Sequence, residues 1–151
     1  METKAVTKLE QVIAGLEAFN PAPIDITNTQ YCYKLLDGFH DLPVEERQKA
    51  IPDFFALFER FPEAELGNPG PLVHTLEAMG GYESELRQSI ERRPSIYTVW
   101  MVNRILNTEL PDQTRQEWMK ALESVQNNPQ TSDDIRGEAA NLLRYQITGE
   151  L

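Results

Sequence analysis

The segment PLVHTLEAMGGYESELRQSIERRPSIYTVWMVNRILN, residues 71–107, decides the fold class. Leu72, Val73, Leu76 and Met79 recur at three- and four-residue steps, which is the helical period. Gly80-Gly81 stops that helix, because glycine accepts the left-handed backbone that a helix end demands. Leu86 and Ile90 mark the inner face of a second helix over residues 83–92. Pro94 breaks it, since proline has no N–H to donate and clashes with the preceding turn. Ser95 is a favoured cap for a third helix, whose Val99, Val102, Ile105 and Leu106 read as buried. Nothing in this stretch alternates in the manner of a strand.

The same pattern extends in both directions. Upstream, Val6, Leu9, Val12, Ile13, Leu16 and Phe19 form one apolar stripe, ended by Asn20-Pro21-Ala22-Pro23. Asn28 or Thr29 is expected to cap a second helix, with Tyr31, Cys32, Leu35, Leu36 and Phe39 inward. Pro43 favours a short helical turn. Ile51-Pro52 leads into DFFALFERF, where Phe54, Phe55, Phe58 and Phe61 make up four of the six phenylalanines. That helix is the expected centre of the N-terminal core. Downstream, Pro111-Asp112 opens a helix with Trp118, Leu122 and Val125 inside, and Asn127-Asn128-Pro129 closes it. Thr131 or Ser132 caps the last helix, with Asp133 and Asp134 in the first turn, where the helix dipole favours them. Its core face is Ile135, Ala139, Leu142 and Leu143.

Eight or nine helices and no strand predict an all-α fold, with residues 1–151 as one helical domain. The pairs over residues 52–80, 83–107 and 112–146 repeat at intervals of about 30–35 residues. The expected architecture is therefore a set of antiparallel helix pairs in a HEAT/armadillo-like right-handed superhelix. A compact helical bundle is the alternative.

Composition narrows the function. The 151 residues are 40% hydrophobic and 25% charged, a globular balance with a net charge of −10. Such a chain is not built to grip phosphate backbones or anionic membrane surfaces. The charged partner it suits is a basic protein, unless the charge serves solubility alone. Residues 1–91 hold sixteen acids against seven bases, and residues 92–151 hold eight against seven. The acidic half is the expected docking half. A single cysteine, Cys32, excludes an internal disulfide and a cysteine-rich zinc site. No run approaches the ~20 apolar residues of a membrane span. The amphipathic start METKAVTKLEQVIAGLEAF carries Glu2, Glu10 and Glu17 and fits no signal or transit peptide, so a cytoplasmic location is expected.

Catalytic patterns are weak. His40 and His74 are the two histidines. His74 and Glu77 lie one helical turn apart, but no second such pair exists to complete a di-metal site. Cys32 sits between two tyrosines on an apolar face, the setting of an inert buried thiol. No serine occupies a nucleophile-elbow sequence. Gly67-Asn68-Pro69-Gly70-Pro71 lacks the Lys-Ser/Thr of a phosphate loop and reads as a rigid turn. Carboxylate pairs such as Glu45/Glu46 and Glu63/Glu65 follow from abundance. The expectation is no enzyme, no metal and no cofactor. Two segments suggest recognition instead. One is the loop FPEAELGNPGPLVH, with Glu63 and Glu65 on a constrained turn; it could equally be a solvated acidic loop. The other is residues 96–107, whose flanks hold Tyr97, Trp100, Asn103, Arg104 and Asn107, types favoured at interfaces. The structural alternative has Trp100 filling a groove between helix pairs and Asn103 bonding a neighbouring loop.

These two segments also carry a resemblance. FPEAELGNPGPLVHTLE followed by GGYESELRQSIERRPSIYTVWMVNRILN resembles bacterial immunity proteins encoded beside polymorphic toxins of the contact-dependent inhibition and Rhs types. The likeness covers about residues 50–125. It lies in Gly67, Pro69, Gly70, Pro71, Leu72, Val73 and His74, then in Arg93, Pro94, Thr98, Val99, Trp100, Met101, Asn103, Arg104 and Asn107. The resemblance implies a cytoplasmic, non-catalytic protein that binds a cognate toxin C-terminal domain and blocks it. Such toxins are frequently nucleases with basic clefts, which an acidic inhibitor suits. Residues common to inhibitors of diverse toxins point to structural roles, which leaves partner-specific contacts to the acidic half. The candidate contacts are Asp37, Asp41, Glu45, Glu63, Glu65, Glu77 and Glu83, with Tyr82 and Trp100 as aromatic anchors. A helical-repeat adaptor unrelated to toxins is the alternative reading.

Overall fold

Apolar residues at helical spacing, cut by proline and glycine, produce helix after helix along the chain. The computed structural model describes residues 6–22 and 27–150; Glu2 and Pro23, named above, lie outside them. Nine α-helices occur among the described residues: α1 (Lys8–Ala18), α2 (Thr27–Leu35), α3 (Val44–Gln48), α4 (Ile51–Arg60), α5 (Pro71–Met79), α6 (Glu83–Arg92), α7 (Ile96–Leu106), α8 (Asp112–Gln126) and α9 (Asp133–Thr148). A 3₁₀ turn at Phe39–Asp41 joins α2 to α3, and no strand occurs among the described residues. Among the described residues the regular structure is all helical, as the periodicity predicts.

Helix α4 sits at the centre. Pro52 in its first turn costs no hydrogen bond, and Phe54, Phe55, Leu57 and Phe58 are all fully buried. Each such side chain contributes about 1.5–3 kcal/mol through burial. The rings extend the core sideways. Phe39 meets Phe54 at 6.1 Å between centroids, Phe58 stacks on Tyr97 at 5.2 Å, and Tyr97 meets Trp100 edge-on at 5.5 Å. One aromatic series thus ties the 3₁₀ turn, α4 and α7 together. Helix α1 packs on α4, α4 on α6, and α6 on α8; α2 packs on α5, and α7 lies against both α8 and α9. The buried core runs from Val12 on α1 to Leu142 on α9.

The predicted caps hold in the C-terminal half. Ser95 and Thr98 form a reciprocal capping box on α7, and Ser132 accepts from the Ile135 N–H at 3.3 Å to open α9. Gly67 and Gly70 are required where they stand. Both have positive φ, and a Cβ on Gly67 would lie 2.2 Å from the Gly70 Cα. The N-terminal third departs from expectation. Val6 precedes α1 and is exposed, so the stripe starts one turn later. Asn28 caps nothing. It lies within the first turn of α2, with its amide turned away to Ala22 and Glu65. Tyr31, expected inward, is 39% exposed, while Cys32, Leu36 and Phe39 are buried as read.

Candidate partner-binding face

Most of the arginines are engaged in holding the fold together. Arg47 donates to the Leu42 carbonyl, Arg60 to Leu16, Arg115 to Leu106 and Thr108, and Arg136 to Asn128 and Thr131. These guanidiniums satisfy carbonyls in loops and at helix ends that have no helical partner. Three more bridge helices. Arg92 on α6 donates to Glu59 on α4 at 2.9 and 3.0 Å and to Glu85 at 2.7 Å. Arg104 on α7 forks onto Glu77 of α5 at 2.7 and 2.9 Å. Arg87 pairs with Glu117 at 3.0 Å and lies 4.5 Å above the Trp118 ring. The hydrogen bonds to Glu59 and then Glu85 hold the Arg92 guanidinium above its ordinary pKa. Those to Glu77 do the same for Arg104.

Many acids, by contrast, are left to solvent. Asp37 follows α2, Asp41 ends the 3₁₀ turn, and Glu45 stands in the first turn of α3. All three are exposed and make no ion pair. Glu83 at the start of α6 and Glu63 on the loop after α4 are likewise exposed and unpaired. Glu65 is exposed, but its carboxylate accepts from the Gly67 N–H at 3.2 Å, so it also shapes its own turn.

Three of the candidate residues are not free. Glu77 is partly buried and held by Arg104, because α5 and α7 meet at that pair. Tyr82, expected as an exposed anchor, is only 8% exposed, since it closes the turn between α5 and α6 over the core. Burial, then the nearby Glu83 and Glu77, pushes its phenol up to about 12. Trp100 is half-buried. Its Nε1 donates to Glu138 of α9 at 3.3 Å, and it fills the space between α7 and α9. Asn103 accepts from Gln146 on α9 at 2.7 Å, a helix rather than the expected loop.

The loop over residues 62–70 is pinned from two sides. The Tyr97 hydroxyl donates to the Ala64 carbonyl at 2.5 Å and accepts from the Leu66 N–H at 2.6 Å. Asn28 donates to the Glu65 carbonyl at 2.9 Å. Tyr97 was expected on an open flank and is instead 2% exposed, with burial pushing its phenol up to about 12. The two segments singled out in the sequence do meet: Asn68 and Pro69 of the loop share a small cavity with Trp100, Asn103 and Arg104.

A larger cavity of about 450 Å³ opens between the C-terminal end of α2 and α5. It brings His40 and His74 together with Asp37, Tyr33 and Thr75. Local spacing carried no sign of this, because α2 and α5 are far apart in the chain. No group of three or more histidine, cysteine or carboxylate side chains suited to a metal occurs among the described residues. Cys32 is fully buried, and desolvation pushes its thiol up to about 12, far from a reactive thiolate. No helix among the described residues is long and apolar enough to cross a membrane. Neither a family model, nor a curated protein, nor a solved structure matches the chain.

Proposed function

We propose that the chain is a non-catalytic inhibitor that captures a basic toxin domain, a nuclease in the first instance, in the manner of the immunity proteins it resembles. The observation that carries this reading is the division of labour among charges. Seven arginines hold helices and loops together, while Asp37, Asp41, Glu45, Glu63 and Glu83 stand exposed and unpaired. A surface of this kind attracts a positive cleft over long range and competes there with a nucleic-acid phosphate backbone. We further read the helix pairs as a HEAT-like right-handed superhelix. Successive packing of α4 on α6 and α6 on α8, with α7 on α9 in the other row, supports that reading.

The test is co-purification of the tagged protein with the product of the adjacent upstream gene, followed by RNA and DNA cleavage with and without it. A stable 1:1 complex that silences cleavage is expected. An active nuclease that ignores the protein, or no toxin gene in that position, contradicts the proposal and favours a helical adaptor for another protein.

A further inference from the structure

The cavity between α2 and α5 carries polar groups that can accept hydrogen bonds, and no lysine or arginine lines it. Asp37 contributes a carboxylate that is engaged in no ion pair. His40 and His74 bring imidazoles, each of which presents one acceptor nitrogen when neutral. Thr75 supplies the most telling atom. The residue is 3% exposed, yet its hydroxyl makes no hydrogen bond within the protein. Among the described residues no sealed side-chain polar atom goes unpartnered, so this hydroxyl opens onto the cavity it lines. A hydroxyl held in a cavity wall without a partner is poised for a polar group arriving from outside.

The other walls define that group. Tyr33 is 65% exposed and offers an aromatic ring at the rim. Leu36, Pro71 and Ala78 provide apolar floor. The C-terminal end of α2 adds the negative end of its dipole. At the facing N-terminus of α5, Pro71 presents a ring where other residues would present an N–H. We infer that this cavity receives an arginine side chain of the basic partner. The methylenes lie on the apolar floor, the guanidinium stacks on Tyr33 and its donors reach Asp37 and Thr75. Arginine fits better than lysine because it carries five donors in a plane and stacks on aromatic faces, whereas an ammonium offers three donors from a point. The inference rests on the proposed function for the identity of the partner. The ligand chemistry rests on the cavity itself.

The experiment is a backbone-amide NMR titration of the full chain with acetyl-Gly-Arg-Gly-amide and with its citrulline twin, which has the same shape without the charge. The arginine peptide should shift Tyr33, Asp37 and Thr75 saturably at millimolar concentrations, and the citrulline peptide should not. Asp37→Asn and Thr75→Val should each weaken the arginine response at least several-fold, with an unchanged thermal midpoint showing an intact fold. Equal response to both peptides, shifts spread over Glu63 and Glu83 instead, or no response at all would overturn the inference. A second arm separates the two readings. A toxin complex that forms normally with both variants removes this cavity from the interface but leaves the inhibitor reading standing. Absence of a wild-type complex removes the inhibitor reading, while an arginine-specific shift would still establish the cavity's chemistry.

Discussion

Helix α4 has two seams, and they are built differently. On the α6 side, Glu59, Arg92 and Glu85 form a charged brace, joined by the Ser89 hydroxyl donating to Glu59 at 2.9 Å. On the α1 side, Arg60 of α4 donates to the Leu16 carbonyl at 2.8 Å, but Asp53 of α4 lies beside Glu17 of α1, two acids facing each other. Burial first, and Glu17 second, raises the Asp53 carboxyl above its ordinary pKa. The same contrast holds on a larger scale. Helices α4 to α9 are tied by guanidinium forks and stacked rings. The region before α4 leaves Tyr33 in solvent, and α2 is flanked by three cavities. The exposed Tyr33 and the unpaired Asp37, Asp41 and Glu45 lie in that earlier region, while the unpaired Glu63 and Glu83 lie beyond α4. Binding surfaces are commonly drawn from the less tightly packed parts of a fold.

That contrast can be broken most severely at its strong end. Phe58→Ala should cost about 3–5 kcal/mol, read as a lower urea midpoint, because it removes a fully buried ring stacked on Tyr97. Tyr97→Phe keeps the ring but leaves the buried Leu66 N–H without its acceptor; a loss of about 1–3 kcal/mol is expected. Arg92→Ala should cost about 1 kcal/mol or less despite three hydrogen bonds, since its side chain is 45% exposed and solvent screens the pair. A double-mutant cycle with Glu59→Gln would isolate that coupling.

At the weak end the signs change. A carboxyl with a raised native pKa binds its proton more tightly folded than unfolded. The deprotonated Asp53 therefore costs stability at neutral pH, and that cost disappears as pH falls through its native titration. Asp53→Asn should raise the thermal midpoint slightly at neutral pH and reduce this gain on acidification; a lower midpoint would show that the first-turn charge of α4 matters more. Tyr33→Ala should change stability by no more than about 0.5 kcal/mol while weakening the partner complex, and a large stability loss would place Tyr33 with the core instead.

The α4–α9 region was also the more legible in sequence. Ser95, Ser132, Pro52 and the glycine pair Gly80-Gly81 are local signals, and each stops or starts a helix where it was read. Tyr97 was misplaced because a tyrosine on a helix flank looks exposed until a loop from thirty residues earlier closes over it. Tyr82 was misread for the same kind of reason. The acids Asp37, Asp41, Glu45, Glu63 and Glu83 were legible as exposed. That His40, His74 and Thr75 share one cavity was not, since only the packing of α2 on α5 brings them together.

The central claim is that a basic partner is captured by the acids around α2, the 3₁₀ turn and α3. Calorimetric titration of the product of the adjacent upstream gene into wild type and into the triple reversal Asp37→Lys, Asp41→Lys, Glu45→Lys addresses it directly. The account predicts a 1:1 complex that the reversal weakens by roughly tenfold or more at moderate salt, without loss of helicity. Undiminished affinity in the reversed protein would contradict it.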